Sequence, residues 1–483
     1  MVRLVPDYKV EQGMLPLQTL QKMWEAESLS WDGVAVVDWE RLRFKRQVHE
    51  VISLVAVDGL DAETDDEKLV VFKSVLSPHE QRYMYNELKM LLLLGNHENV
   101  ISRPLGVVTK KGRFGNRRGV CGFLLAWYPL GSLRERLLRE DDDYCVSTSM
   151  AQRIRWARQV ARALAHVNGH DDGRVGFYPD LKPDNIVLGK SAAADTGMLD
   201  AVLIDLEQRG GWFTWSPPEV AYVEYLEIVA AADSIPLENG LKSEIVKQLR
   251  KYYDDDPDWS PGDSGRQRYY NAEGGFSRPW LALLRERETG GTGRDLLERA
   301  QVFMLGKLLW CIFEGQPMVR CGIDHEVLRD ADPDYKSKRC GKARAFPEFK
   351  QTPPGALRSL IRACTAGAPE WEEGGRARRR PGVVLRQGKL YPAVAEADLG
   401  ALTAEDTRDA ARIFWRRELA CAREFMEELL LFKRGTSQHG EHQQERDPDG
   451  PDSMPGLLDQ VRTRPLLSEV LAELERIERC LVR

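Results

Sequence analysis

The sequence lacks the cysteine spacing of a metal-binding or disulfide-stabilised protein. Eight cysteines are scattered along its 483 residues, and no two of them form a C-x-x-C pair. This scatter argues against a zinc site and against a disulfide framework, and it is typical of proteins in a reducing compartment. We therefore expect the protein in the cytoplasm, with the nucleus as an alternative.

Long apolar segments and a large excess of charge of one sign are also missing. The first residues, MVRLVPDYKVEQG, lack the apolar core of a signal peptide, and the apolar run from Val302 to Phe313 is short and interrupted by Lys307. The chain has 75 acidic and 69 basic residues, a net charge of −6. These features predict no membrane segment and no nucleic-acid partner.

Two segments in the middle of the chain carry four polar side chains suited to phosphoryl transfer. The first, FYPDLKPDNIVLG, holds Asp180, Lys182 and Asn185 in one short loop, and the second, AVLIDLEQ, places Asp205 after an apolar run. Asp180 can accept or orient a hydroxyl proton, and Lys182 can neutralise the migrating phosphoryl group. Asn185 and Asp205 offer oxygen ligands to Mg²⁺, which bridges the phosphates. ATP and Mg²⁺ are therefore the predicted cofactors.

The D-L-K-P-x-N spacing resembles the catalytic loop of eukaryotic protein kinases, in the form usual among serine/threonine kinases. Ser149, with Gln152 three residues later, begins a strongly periodic apolar helix that leads into this loop, as helix αE does in kinases. The chain is similar to divergent kinase-like proteins, many of them fungal. The resemblance implies an α+β, bilobal fold with a small β-rich N-lobe, a larger helical C-lobe and a protein Ser/Thr substrate.

The lysine–glutamate pair of the kinase N-lobe has candidates upstream. Lys73 lies in the apolar run KLVVFKSV and matches the lysine of the V-A-I-K strand; burying it is costly unless it is paired. The segment from Pro78 to Leu94 predicts a helix, in which Glu87 matches the αC glutamate and Glu80 is a competitor. The resemblance implies that Lys73, held by Glu87, binds the α- and β-phosphates.

The resemblance also implies an adenine pocket. The run from Gly122 to Leu125 predicts the fifth strand of the N-lobe, with Leu125 at the gatekeeper position. Ala126, Trp127 and Tyr128 correspond to the hinge, whose backbone pairs with adenine. The next segment, PLGSL, resembles the P-G-G-S-L that follows many kinase hinges.

The glycine-rich loop of kinases is absent. Strands are predicted from Val34 to Val57, but no glycine occurs between Val34 and Asp58. Glycines matter at this position because backbone N–H groups must approach the phosphates closely. A hairpin around Arg46 to His49 that covers the nucleotide, with Lys45 or Arg46 supplying charge, is one alternative.

The catalytic motifs depart from the family pattern at several positions. Tyr178 and Pro179 stand where kinases have His and Arg, and that arginine normally pairs with an activation-loop phosphate. Glu207 replaces the glycine of D-F-G, either contacting a second Mg²⁺ or pointing into solvent. The SPPE segment, which resembles A-P-E, brings Glu219 soon after Asp205. We therefore expect a short activation segment and an active site that needs no phosphorylation.

Two later segments resemble C-lobe helices. Ala300 to Gly315 resembles the central helix αF, with Gln301 in place of its anchoring aspartate, and Arg464 to Ile477 resembles the final helix with its leading R-P. The predicted domains are an N-terminal extension (1–33), an N-lobe with hinge (34–128) and a C-lobe (129–483). Insertions that could bind unknown protein partners are predicted at about 190–200, 220–295 and 370–460.

Several segments outside the motifs keep two interpretations. The amphipathic stretch from Leu17 to Glu27 either packs on the body of the protein or binds a partner. The acidic run Asp254 to Asp258 is a solvated loop or a docking surface for a basic substrate. The basic patch Arg376 to Arg380 is a solvated loop or a targeting segment. A long helix is predicted from Thr403 to Lys433, and disorder from Gly435 to Pro455.

Three functions remain open. An active Ser/Thr kinase is favoured because all five core polar groups are present: Lys73, Glu87, Asp180, Asn185 and Asp205. A pseudokinase or binding scaffold is favoured by the missing glycines and by the changes at the His-Arg, glycine and αF aspartate positions. A small-molecule kinase is favoured by the I-D-x-E pattern ending at position 207, but SPPE and the αF-like and terminal helices argue against it.

Overall fold

The structure is a computed structural model whose chain divides into two compact units. It describes residues 8–27, 29–49, 51–59, 69–75, 77–78, 81–140, 148–169, 177–191, 197–206, 215–231, 239–253, 292–319, 346, 348–351, 353–368, 383–386, 389–392, 423, 425–427, 429–430 and 457–481. The first unit comprises Met1–Arg139, Val146–Arg209 and Ala272–Gly275, and the second comprises Glu140–Cys145, Gly210–Asn271 and Phe276–Arg483. Helices and strands are both present, which confirms the predicted α+β class.

This division follows different lines from the predicted lobes. It groups residues 146–209, which include the predicted catalytic loop, with the N-terminal strands. The prediction assigned the same residues to a C-lobe that begins at position 129. The domain boundaries drawn from the resemblance therefore stay a prediction.

A six-stranded sheet in the order β1-β5-β6-β4-β3-β2 forms the centre of the first unit. Its strands are β1 (Ala35–Asp38), β2 (Leu42–His49), β3 (Ile52–Val57), β4 (Leu69–Ser74), β5 (Gly106–Lys111) and β6 (Arg118–Ala126). The strands predicted between Val34 and Val57 are thus confirmed. β1 pairs in parallel with β5, whereas the other neighbours are antiparallel.

One face of this sheet carries an apolar core. Val55 on β3 and Val70 and Phe72 on β4 are buried together on that face. Because side chains alternate along a strand, Val71 and Lys73 lie on the opposite face. The alternation places Lys73 away from the apolar cluster, where other polar groups can reach it.

The N-terminal extension contains helices α1 (Tyr8–Gly13) and α2 (Leu17–Met23), and Val10 of α1 enters the apolar core of the sheet. Leu20 and Trp24, from the predicted amphipathic stretch, are buried, in agreement with packing on the body. Glu11 anchors α1 to the turn after β5: its Oε2 accepts hydrogen bonds from the N–H groups of Arg113 (2.7 Å) and Phe114 (3.3 Å).

Glu11 makes the stability of this anchor pH-dependent. Burial by itself raises the pKa of Glu11, but the N–H groups of Phe114 and Arg113 and the ammonium of Lys110 lower it, so that the pKa lies below its ordinary value. The carboxylate therefore stabilises the fold above the unfolded-state pKa of about 4.3, and this contribution is lost as the pH falls through the folded-state pKa.

We expect Glu11→Gln to lower the urea midpoint of unfolding at pH 7 and to change it much less at pH 3. Unfolding curves at the two pH values measure the difference, and Glu40→Gln, at an exposed position in the short 3-10 helix between β1 and β2, is the control. An equal loss of stability at both pH values would contradict the assignment.

Three further helices and a hairpin belong to the described part of the first unit. The helices are α3 (Gln81–Leu93), α4 (Leu133–Glu140) and α5 (Met150–Asn168), and the hairpin is β7 (Ile186–Lys190) with β8 (Leu199–Leu203). Ser149 caps α5 by accepting a hydrogen bond from the N–H of Gln152 at 3.2 Å, as predicted. Gln152 also exchanges hydrogen bonds with the backbone of Leu199 (2.7 and 2.8 Å), which fixes β8 to α5.

The described elements of the second unit are mainly helical. They are α6 (Pro218–Ala231), α7 (Asn239–Tyr252), α8 (Thr292–Glu314), α9 (Gly355–Cys364), α10 (Leu457–Thr463), α11 (Leu467–Leu481) and a hairpin of β9 (Val383–Arg386) with β10 (Lys389–Pro392). α8 packs against α9, α10 and α11. At Gly306 an added Cβ would lie 2.7 Å from the Cβ of Cys364, so the two helices meet closely there. Among the described helices, none is both long and apolar enough to cross a membrane.

A buried ion pair joins two distant segments of the second unit. Arg464 donates to both carboxylate oxygens of Glu219, at 2.7 and 3.0 Å. The same guanidinium donates to the carbonyl of Ala366 (2.8 Å) and lies over the ring of Phe303. The first residue of the R-P segment is thereby connected to the last residue of SPPE.

Several predicted features lie outside the described residues. They are Glu207, Glu80, the acidic run 254–258, the basic patch 376–380, the segment 435–455 and most of the helix predicted from 403 to 433. Of that last helix, residues 423, 425–427 and 429–430 are helical, and Phe425 and Leu429 are buried.

Candidate active site

Lys73 is the centre of a buried cluster of charges. Its Nζ lies 2.6 Å from Oε2 of Glu87 on α3 and 2.7 Å from Oδ1 of Asp205 after β8. The side chains of Lys73 and Glu87 are 7% and 2% exposed, whereas that of Asp205 is 31% exposed. The predicted Lys73–Glu87 pair is therefore formed, and Asp205 gives the cluster a solvent-facing carboxylate.

The balance of charge in this cluster favours a cation. One ammonium faces two carboxylates, so the group as a whole is negative. A buried charge is tolerated only when it is paired, and Lys73 supplies that pair for the almost fully buried Glu87. The remaining negative charge lies at Asp205, the more exposed of the two carboxylates.

The loop from Asp180 to Asn185 folds around the carboxylate of Asp180. Its Oδ2 accepts hydrogen bonds from Lys182 Nζ at 2.5 Å and from Asn185 Nδ2 at 2.9 Å. Its Oδ1 is buried and has no hydrogen-bond partner within the described part of the chain. An unpaired buried acceptor is costly, so the carboxylate of Asp180, whose side chain is 20% exposed, can accept one more hydrogen bond, as from a bound hydroxyl group.

The surroundings of Asp180 also raise its proton affinity. Burial raises the pKa of Asp180 above its ordinary value, Lys182 and Asn185 oppose the increase, and the charge of Asp205 adds to it. A carboxylate in this environment binds a proton more readily than one in water. The predicted role of Asp180 as the group that orients or accepts a hydroxyl proton fits this environment.

The β7–β8 hairpin brings Asn185 and Asp205 to the same end. Ile186 pairs with Leu203 in the last register position of the ladder, and the carbonyl of Asn185 then accepts the N–H of Ile204 at 3.0 Å. Asp205 follows directly, with a φ of 64°. Few residues other than glycine adopt this left-handed conformation, although Asp is among those that do, and such conformations concentrate at functional sites.

Two residues that hold this end of the hairpin were not assigned a role from the sequence. The hydroxyl of Tyr178 donates to the carbonyl of Ile204, and burial followed by the nearby Asp205 and Asp180 carboxylates raises its pKa. Asn99 donates to the carbonyl of Ala201 at 3.0 Å and accepts the N–H of Leu203. Asn99 lies in the segment HENVI, from His97 to Ile101.

The oxygen donors near Asp205 fit a magnesium ion. Mg²⁺ is commonly held by one or two protein carboxylates, with waters and substrate phosphates completing an octahedron. Asp205 and Asn185 supply a carboxylate and an amide on adjacent backbone segments, beside a cluster of negative charge. Within the described residues no group of three or more His, Cys, Asp or Glu side chains could hold a metal by itself.

The residues predicted for the adenine pocket lie at the end of β6. Leu125 pairs with Val71 and Val71 pairs with Leu54, which makes an apolar row across three strands on the Lys73 face of the sheet. Ala126 ends the ladder opposite Val70. Trp127 and Tyr128 follow and are partly buried.

The turn after Tyr128 is attached to the β7–β8 hairpin. Gly131 donates its N–H to the carbonyl of Tyr128 at 3.2 Å, and Leu188 donates to the carbonyl of Gly131 at 3.0 Å. In the next turn Arg134 pairs with Asp184 at 2.7 Å. The end of β6 is thus connected to the strand that begins next to Asn185.

Strand β2, where the kinase resemblance predicts a glycine-rich loop, carries a row of exposed side chains. The β2–β3 ladder has an extra residue at Lys45, and the shifted register puts Arg46 opposite Leu54. Because paired residues share a face, Arg46 lies on the face that carries Lys73. Lys45 and Arg46 are both exposed. The expectation that a basic side chain here contributes charge remains a prediction with a compatible geometry.

No protein-family model matches the chain, and no curated protein matches it.

Proposed function

We propose that the protein is a divergent, kinase-like phosphotransferase that transfers the γ-phosphoryl group of Mg-ATP to a Ser or Thr hydroxyl of a protein. One observation carries the proposal: the two clusters Lys73–Glu87–Asp205 and Asp180–Lys182–Asn185 are formed within one compact unit, with distances of 2.5–2.9 Å. Residues 132 positions apart in sequence are thereby in hydrogen-bond contact. These groups are the ones that phosphoryl transfer requires.

The order of the elements supports a bilobal kinase-like fold. A hairpin of β2 and β3 precedes the strand of Lys73, the helix of Glu87 follows, and β6 lies beside β4 and ends at the proposed hinge. In the second unit, the pairing of Glu219 with Arg464 connects the SPPE and R-P segments. These two segments are the ones that favour a protein kinase over a small-molecule kinase.

In the proposed reaction each side chain has one task. Bound Mg²⁺ supplies charge neutralisation to the phosphates. Asp205 and Asn185 hold the ion, and Lys73, oriented by Glu87, binds the phosphates on the leaving-group side. Asp180 accepts the hydroxyl proton as the substrate oxygen bonds to the γ-phosphorus and the bond to ADP breaks, while Lys182 stabilises the charge on the transferred group.

A second candidate is a nucleotide-binding scaffold without turnover. It is favoured by β2, where no glycine allows a backbone N–H to approach the phosphates, and by Gln301 on α8. The side chain of Gln301 is fully buried, and its two amide atoms have no hydrogen-bond partner among the described residues.

If turnover is retained, we propose that Arg46, on the Lys73 face, neutralises phosphate charge in place of the missing glycine-rich loop. We propose that the protein acts in the cytoplasm. That the insertions bind protein partners stays a prediction.

The first test is the melting temperature with ATP alone and with Mg-ATP. A ligand that binds only the folded state raises the melting temperature, and we expect a larger increase with Mg-ATP. Asp205→Ala should remove the magnesium-dependent part, whereas Asp58→Ala, which removes an exposed carboxylate paired with Arg43, should keep it. No increase with millimolar Mg-ATP would count against both candidate functions, and an increase without turnover would select the scaffold.

A further inference from the structure

The segment from Tyr8 to Leu15, called the N-terminal clamp below, is bonded to helix α3. At the start of α3, Gln81 Nε2 donates to the carbonyl of Val10 at 2.5 Å. One turn later, the hydroxyl of Tyr85 accepts the N–H of Leu15 at 2.9 Å and donates to the carbonyl of Val120 at 2.8 Å. Burial raises the pKa of Tyr85 to about 12, so the hydroxyl keeps its proton at ordinary pH.

The clamp is also fixed to the sheet. Val120 on β6 donates its N–H to the carbonyl of Leu15 at 2.8 Å. Val10 and Met14 enter the apolar core of the sheet. Gly13 passes so close to Gln81 that an added Cβ would lie 1.8 Å from its Oε1. The clamp therefore connects α3 to β6 through polar and apolar contacts.

Helix geometry relates these contacts to Glu87. Gln81 and Tyr85 are four residues apart and lie on one side of α3. Glu87 is two residues beyond Tyr85, which at 3.6 residues per turn puts it on the opposite side. α3 is thus held on one side by the clamp and presents Glu87 to Lys73 on the other.

We propose that the N-terminal clamp is a positioning element that keeps Glu87 beside Lys73, and that Tyr85 is its main positioning residue. The inference rests on the proposed function, because Lys73 is taken to bind the phosphates. Without the clamp, α3 loses the hydrogen bond of Gln81 to Val10 and that of Tyr85 with Leu15. Glu87 then moves away from Lys73, whose ammonium keeps its ion pair with Asp205.

The experiment uses the full chain with Tyr85→Phe, which removes the hydroxyl and keeps the ring. The variant loses the hydrogen bonds to Leu15 and Val120, and each lost hydrogen bond corresponds to about a two- to tenfold change. We expect kcat/KM for ATP to fall by at least one such factor, and amide hydrogen exchange to become faster in α3 but not in α5. A chain that begins at residue 16 should show a larger effect in the same direction. Gln12→Ala, an exposed position in α1, should leave both readouts unchanged.

A double-mutant cycle separates positioning from a general loss of stability. If Tyr85 acts through Glu87, then Tyr85→Phe should have no further effect on kcat/KM in a Glu87→Gln background. Additive effects, or unchanged exchange in α3, would overturn the proposal. If α3 exchanges faster in the variant but the wild-type chain binds no Mg-ATP, the clamp holds α3 as inferred and the proposed function fails, so the two failures are distinguishable.

Discussion

Asp180→Ala is expected to abolish phosphoryl transfer and to leave Mg-ATP binding intact. The carboxylate of Asp180 has one oxygen held by Lys182 and Asn185 and one buried oxygen without a partner among the described residues. Its contacts are thus within the Asp180–Asn185 loop, where Asn185 is also a proposed metal ligand, whereas the other proposed phosphate and metal groups, Lys73 and Asp205, bond to each other. Removing a positioned proton acceptor costs about 10²- to 10⁴-fold in rate.

The measurement compares turnover with the Mg-ATP-dependent increase in melting temperature. Asp184→Ala is the matched control, since Asp184 lies in the same loop but pairs with Arg134 outside the two clusters. We expect Asp184→Ala to retain most of the activity. Full activity of Asp180→Ala would mean that the site assignment is wrong, and loss of Mg-ATP binding would mean that Asp180 belongs to the nucleotide site.

Arg464→Met is expected to lower the free energy of unfolding by about 3–5 kcal/mol, because it leaves the buried Glu219 without its partner. The Arg464 side chain is fully buried, and its guanidinium makes a two-pronged contact with the carboxylate. Such bidentate pairs are among the stronger hydrogen-bonded contacts in proteins. Urea unfolding of the full chain measures the change.

Two further variants serve as controls for the effect of Arg464→Met on stability. Arg476→Met, which removes an exposed arginine paired with Glu473 on α11, should change stability very little. The double variant Glu219→Leu with Arg464→Met should recover part of the loss, because no unpaired charge then remains buried. A small effect of Arg464→Met alone would contradict the inferred role of the pair.

Local patterns allowed part of the fold and site to be predicted. Ser149 and the apolar periodicity after it predict α5, because capping and helical amphipathicity are short-range properties. The pairing of Lys73 could also be predicted, because a lysine in an apolar strand is buried and a buried ammonium needs a carboxylate partner. Glu87 is the residue that the helix places within reach, and the structure brings the two together.

Contacts between distant segments could not be predicted in this way. Nothing in the sequence around Ala35–Asp38 indicates that β1 pairs in parallel with β5, since the partner of a short edge strand is decided by the surrounding packing. The pairing of Glu219 with Arg464 spans 245 positions. The contacts of Tyr85 with Leu15 and Val120 likewise depend on where three separate segments meet.

The β7–β8 hairpin has the candidate site at one end and its connecting tip at the other, so a change in the length of the tip lies far from the site along the ladder. Asn185 and Asp205 lie at the open end, while Ser191 and Met198 close the other end with a hydrogen bond of 3.2 Å. The side chain of Gln152 fixes β8 near this second end through two hydrogen bonds with the backbone of Leu199. Since doubling the length of a loop costs only about 0.6 kcal/mol, the tip is a position where evolution or an engineer can lengthen the chain, or add a reporter group, without moving the proposed metal ligands.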